Sequence, residues 1–395
     1  MATFRSLATV SVTVACVSAF TASSAFAAVS YNDDKTIIAN PAPLESDITL
    51  IGSSKTLTLS HAVTNLQSLT FAGSGYGNAL TLKSTLTSAS VTIGSITFTN
   101  SGRIDIASSK TLNITGAFNG ANGKSLTITG AGNINFQGTN GFAGDISMNS
   151  SGTLSLTNAI TANYIEQTSG TVNLSVGSTT SLSNGYTLSG GILNVTGSST
   201  LDATLNVFGG VANITSSTVT GNMSLAGTGG ANIISSTVQG NMSLAGTGLA
   251  DITSSTVTGN MSISGTGLAN ITSSSIVQGN MSISEMGSAN ITSSTVTGNM
   301  SISGTGLANI TSSTVQGNMS ISETGLANIT SSTVQGNLTV NGTDGATKNL
   351  VLKDSIVIGD VSLTGGRATL ENIDLKQELT IANTTTMIGT DNKVA

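Results

Sequence analysis

Residues 298–316 read GNMSISGTGLANITSSTVQ, and residues 317–335 read GNMSISETGLANITSSTVQ. The two nineteen-residue stretches differ only where Gly304 stands against Glu323. The Ala in the second half of this unit marks its period, falling at Ala212, Ala231, Ala250, Ala269, Ala289, Ala308, Ala327 and Ala346. The spacing is nineteen except for one extra residue near Ile276, where S-S-T-V becomes S-S-S-I-V. A repeat this short suits a single coil of a β-solenoid, in which each unit buries a face only by stacking on its neighbours.

Comparison between copies assigns the faces. Val219, Val238, Val257, Val277, Val296, Val315 and Val334 never change, whereas the next residue switches between Thr (Thr220, Thr258, Thr297) and Gln (Gln239, Gln278, Gln316, Gln335). Val is therefore expected inside and Thr or Gln outside. The pairs Met223/Leu225, Met300/Ile302 and Leu338/Val340 vary only among apolar residues and alternate with Ser or Thr. That period of two is a strand with one face buried. Gly298-Asn299, Gly304-Thr305-Gly306 and Thr311-Ser312-Ser313 read as three turns, the first because Gly and Asn tolerate the left-handed region. The expected fold is all-β: a single-stranded parallel β-helix of triangular coils, about 19 residues each, with strands about 4.8 Å apart. The extra residue near Ile276 is expected at the T-S-S corner, where a bulge is tolerated best.

Around the array, residues 1–27 read as a signal peptide, with Arg5, an apolar run from Leu7 to Phe20 and the small-x-small site Ala25-Phe26-Ala27. The run is too short to span a bilayer, and no membrane span is expected in the mature chain. Residues 28–47 carry both prolines, Pro41 and Pro43, and a cluster of charges; they read as an N-terminal cap. Irregular coils are expected over 48–210, the regular array over 211–343 and degenerate coils over 344–395.

Composition narrows the function. Of 395 residues, 8% are charged and 3% aromatic, and the formal net charge is −6. No Lys, Arg or His lies between Lys124 and Lys348. Nucleic acid and anionic lipid both demand cations, so neither is expected as a partner. Cys16, the one cysteine, sits in the leader, which leaves no disulfide or thiolate site in the mature chain.

Residues 130–156, GAGNINFQGTNGFAGDISMNSSGTLSL, resemble the passenger-associated repeat of bacterial autotransporters. The residues that carry the resemblance are Gly130, Gly132, Gly138, Asn140, Phe142, Gly144, Ile146, Gly152, Leu154 and Leu156. The remaining chain resembles autotransporter and filamentous-haemagglutinin-like passengers by composition and period. The resemblance implies a right-handed β-helix shown on, or released from, the outer surface of a Gram-negative cell, acting as adhesin or stalk. It also implies an outer-membrane translocator and an unidentified cell-surface receptor as partners. Residues 341–395 are too few for the aromatic-girdled barrel of that family, and no Tyr or Phe follows Phe208. Export by a separate translocator, a longer parent chain and a periplasmic location all remain open at this point.

Candidate chemistry is sparse, and no catalytic, cofactor or metal residue is assigned. His61 stands alone. Asp251, Glu285 and Glu323 are isolated among neutral coils; Glu285 and Glu323 share a register two coils apart, about 10 Å by strand spacing, with no third group beside them. The column Met223, Met242, Met261, Met281, Met300 and Met319 could hold a soft metal but reads as core packing. Calcium solenoids need recurring Asp, which is missing. Thr295-Val296-Thr297 fits an ice-binding array; Thr314-Val315-Gln316 interrupts it. Asn299-Met300-Ser301 and Asn309-Ile310-Thr311 are glycosylation sequons that also suit turns and stacked amide ladders. The expectation is a non-enzymatic adhesin or stalk; the alternatives are a surface-layer or matrix protein, or a polysaccharide-acting enzyme on the same fold.

Overall fold

The computed structural model describes residues 29–31, 35–37, 47–51, 55–59, 66–72, 78–82, 89–138, 140–175, 177–343, 348–382, 385–389 and 391–394. The leader, Cys16, both prolines, His61 and Ala346 lie outside them.

Every described element is a strand, and the strands stack into three parallel sheets that wind as a β-solenoid. One coil shows the logic. Met300–Ile302 forms the first side, Leu307–Thr311 the second and Thr314–Val315 the third; Met319 then opens the next coil. Each side pairs with its own copy one coil on: Met300 with Met319, Leu307 with Leu326 and Thr314 with Thr333. The three sheets are here called the Met, Asn and Val sheets after their recurrent residues. The Val sheet has 19 strands and the Asn sheet 16, the latter running from Ser90–Ile93 to Thr385–Ile388. Strands of two to five residues have no stability alone, and here each gains a full ladder on both sides.

The core is a column of small rings of side chains. Met300, Ile302, Ala308, Ile310 and Val315 supply one ring, each no more than 1% exposed. Burying a Met, Ile or Val contributes roughly 1.5–3 kcal/mol, and equivalent positions repeat this along the array. The invariant valines are all buried, and Gln239, Gln278, Gln316 and Gln335 are exposed, as the exchange pattern requires. Earlier coils use larger rings, with Phe71 stacked on Phe98 at 4.6 Å and Phe118 on Phe142 at 5.1 Å. Coil length varies there: Leu69 pairs with Ile96, 27 positions on, whereas Leu201 pairs with Val219, 18 on.

The corners differ from expectation in one respect. The Gly-Asn turn does not use the left-handed region. Its glycine serves close approach: a Cβ on Gly298 would sit 2.5 Å from the carbonyl oxygen of Gly279. The left-handed positions are the other two corners. One is the first serine of each Ser-Ser pair, such as Ser312 at φ 51° and Ser331 at φ 51°. The other is the first residue of Gly-Thr-Gly, Gly304 at φ 62°, where Glu285 and Glu323 take φ 54° and 56°. The extra residue near Ile276 sits where expected. Ser273 and Ser274 are both left-handed, and Ile276 still pairs with Thr256 and Thr295.

In the alanine column, Ala327 pairs with Leu350, 23 positions on. The sequence period is lost there, but the ladder is not: Lys348–Lys353, Arg367–Glu371 and Thr385–Ile388 extend the Asn sheet. At the other end, Val29–Tyr31 and Lys35–Ile37, within the segment read as a cap, pair in register with Ile48–Leu50 and Leu57–Leu59.

Candidate functional surface

Because the core takes every second residue, function is left to three outer faces and their corners. The Val sheet shows a flat double column, with Thr295, Thr314 and Thr333 in one file and Thr297, Gln316 and Gln335 in the other. Ile276 interrupts the first file, and Gln alternates with Thr in the second. The Met sheet shows a strip of serines, Ser282, Ser301 and Ser320.

The Asn sheet shows an amide ladder. Asn309 Nδ2 donates to Asn290 Oδ1 and Asn328 Nδ2 to Asn309 Oδ1, both at 2.9 Å. Every link points the same way, each amide donating to the coil before it. Asp251 occupies one rung and accepts from Asn270 Nδ2 at 2.7 Å. A carboxylate cannot donate onward to Asn232, so the ladder breaks there. Asp251 is thus placed by the ladder rather than in a carboxylate pair. A second file of amides runs along the Gly-Asn turns: Asn299 Oδ1 accepts from the backbone N–H of Asn318 at 2.8 Å. Both sequon asparagines are therefore bonded into the stack.

Glu285 and Glu323 do fall in one register, separated by the coil of Gly304. Each is exposed, and each carboxylate reaches back to cap a backbone N–H. Glu323 Oε2 accepts from Gly304 at 2.9 Å, and Glu285 Oε2 from Gly265 at 2.8 Å. The six methionines of the column from Met223 to Met319 are each 1% exposed and line the core, whereas Met286 at a corner is 61% exposed.

Two buried polar features escaped the reading of the sequence. The second serine of each Ser-Ser corner points inward. Ser313 Oγ donates to the carbonyl of Thr311 at 2.7 Å and accepts from the backbone N–H of Ser294 at 3.1 Å. Equivalent bonds join Ser217, Ser236, Ser255 and Ser275. The available signal was the Lys353-Asp354-Ser355 corner, which changes the first serine and keeps the second. The other feature lies in the irregular coils. Tyr186 Oη donates to Gln167 Oε1 at 2.5 Å, and Gln167 Nε2 donates to the carbonyls of Gly170 and Ile192 at 3.0 Å. Burial pushes the Tyr186 hydroxyl pKa well above its ordinary value.

Among the described residues, no three or more of His, Cys, Asp and Glu gather where they could share a metal. Charge returns after the array. Lys353 pairs with Glu371 at 3.1 Å, whose hydrogen bond and charge raise the exposed lysine's pKa. A concavity of about 450 Å³ lies against Asp202, whose carboxylate accepts from Thr220 and Ser181. A second, of about 500 Å³, lies on the Asn sheet. No protein-family profile, curated protein or solved structure matches the chain.

Proposed function

We propose that the chain is an exported, non-enzymatic β-helical passenger that acts as an adhesin or stalk at a bacterial cell surface. The observation that carries this reading is the array itself. From Met223 to Leu338, coils of one design stack in register, giving a spacer whose backbone ladder runs without a break. The sixteen strands of the Asn sheet are fifteen spacings apart end to end, which corresponds to a rod of about 70 Å. A rod whose repeated coils present neutral hydroxyls and amides supplies reach and solubility, and asks nothing of catalytic groups. The leader at residues 1–27 and the autotransporter-like segment at 130–156 favour export and display.

A surface-layer or matrix role would use the same rod, and differs in having no receptor. Two measurements test the proposal. Intact cells expressing the chain are treated with protease and with antibody against the array; protection from both would refute display. Beads coated with the purified chain are then scored for attachment to host cells and to bacterial surfaces. Attachment no better than albumin-coated beads would leave the matrix reading in its place.

A further inference from the structure

The amide ladder of the Asn sheet has one gap that is also a hollow. Asn135, Ser155, Asn173 and Asn194 lie on successive strands in direct register. On one side of the gap, Asn135 Nδ2 donates to Asn113 Oδ1 at 2.8 Å; on the other, Asn194 Nδ2 donates to Asn173 Oδ1 at 2.8 Å. Ser155 is too short to join them. Asn135 Oδ1 and Asn173 Nδ2 are therefore left facing the gap without a protein partner among the described residues. One is an acceptor and the other a donor, two strand spacings or about 10 Å apart along the axis. The hollow of about 500 Å³ spans these four strands. Its second file is Gln137, Thr157, Ser175 and Thr196, and none of the eight lining residues is charged or aromatic. At the other break, the Asp251 carboxylate fills the rung and is held by Asn270.

We propose that this hollow is a binding site for a neutral oligosaccharide lying along the rod axis. The proposal rests on the adhesin reading and gives its ligand a chemical class. A sugar hydroxyl both donates and accepts, which suits an open amide oxygen at one end and an open amide N–H at the other. Ser175 and Thr196 add hydroxyls that can do either, and Thr157 Oγ1, which donates to the Phe136 carbonyl at 3.0 Å, adds an acceptor. A polyanion would need cations, and no Lys, Arg or His lies between Lys124 and Lys348. An extended peptide would need an open sheet edge, and these strands are already paired on both sides.

The test uses the purified full chain and titration calorimetry against maltohexaose, cellohexaose, mannohexaose and a galactan oligosaccharide, with heparin as the polyanion. Ser155→Asn completes the ladder and fills the hollow. Asn173→Leu removes the open donor. Asn290→Leu makes the same change in the regular array. Thermal melts verify that each variant is folded. At least one neutral probe should bind with a Kd of about 1 mM or tighter. Ser155→Asn and Asn173→Leu should each weaken it at least about tenfold, the scale of one or two lost hydrogen bonds, while Asn290→Leu binds as the parent does. Binding of heparin alone, of none of the neutral probes, or equal binding by folded Ser155→Asn would overturn the site. The bead assay separates the two proposals. Attachment without glycan binding refutes this site and leaves adhesion standing; glycan binding without attachment refutes adhesion and leaves the site.

Discussion

The backbone N–H of Ser313 donates to Oγ of Ser332, one coil further on, at 3.1 Å. Ser313 receives the same bond from Ser294, so each hydroxyl closes a corner of the coil before it. Ser313→Ala would leave the Ser294 N–H buried without a partner and should cost about 1–3 kcal/mol in urea melts. Its neighbour behaves oppositely. Ser312 is exposed and left-handed at φ 51°, so Ser312→Gly relieves backbone strain and should fall between neutral and about 1 kcal/mol stabilising. Equal losses at the two positions would mean that the inward serine has no special role.

Val315 is 1% exposed, and Gln316 beside it is exposed. Val315→Asp places an unpaired charge in the core and should cost several kcal/mol, detected as local loss of amide protection. Gln316→Asp should stay within about 0.5 kcal/mol of the parent, as surface changes do.

Tyr186 gives the irregular coils a pH dependence. Its folded pKa is raised by burial, so the folded state keeps a proton that the unfolded chain releases near pH 10. The stability tied to this proton is complete below pH 10 and is lost as pH climbs toward the folded pKa. Tyr186→Phe should remove that part of the slope above pH 10. At neutral pH it should cost about 1–3 kcal/mol, because Gln167 Oε1 loses its buried donor. Melting curves between pH 8 and 11 measure both effects.

Whole coils should be interchangeable. Deleting 298–316 joins Thr297 to Gly317, keeps the Gly-Asn turn and leaves every inward residue in register. The rod should shorten by about 5 Å and stay folded. Deleting only 298–307 removes the Met300–Ile302 side and its corner, and should expose Ile310 and aggregate. Light scattering and small-angle X-ray scattering distinguish the two outcomes.

How much of this was legible in the sequence varies by position. Val315 and Met300 announced their burial because a period of two and near-identity between copies both report a buried strand face. The corner serines did not, because Ser-Ser between strands reads as a solvated turn; that Ser313 turns inward depends on the coil closing around it. Gly298-Asn299 reads as a turn because both residues tolerate the left-handed region, whereas the role of Gly298 is to let Gly279 approach. Turn residues suit several geometries, and the sequence does not separate them. Ala346 kept the count while the ladder moved to Leu350, since a period measured on one letter cannot see an insertion that replaces it. The hollow at Ser155 was not legible. It exists because a short residue falls in a file of amides drawn from strands about twenty positions apart, a juxtaposition that only the irregular coil lengths decide.

The register of like upon like has a mechanical consequence. Bonds between neighbouring coils run along the rod, so a pull on the two chain ends would load them one coil at a time. A coil about 5 Å tall holds nineteen residues, which extend to roughly 60 Å. Each yield would thus release about twelve times the height it removes, and the coils in the array would yield at similar forces. A tether built this way lengthens in equal steps under load before its attachment point feels the full force. Single-molecule pulling would record the steps as evenly spaced peaks, and one abrupt rupture in their place would exclude it.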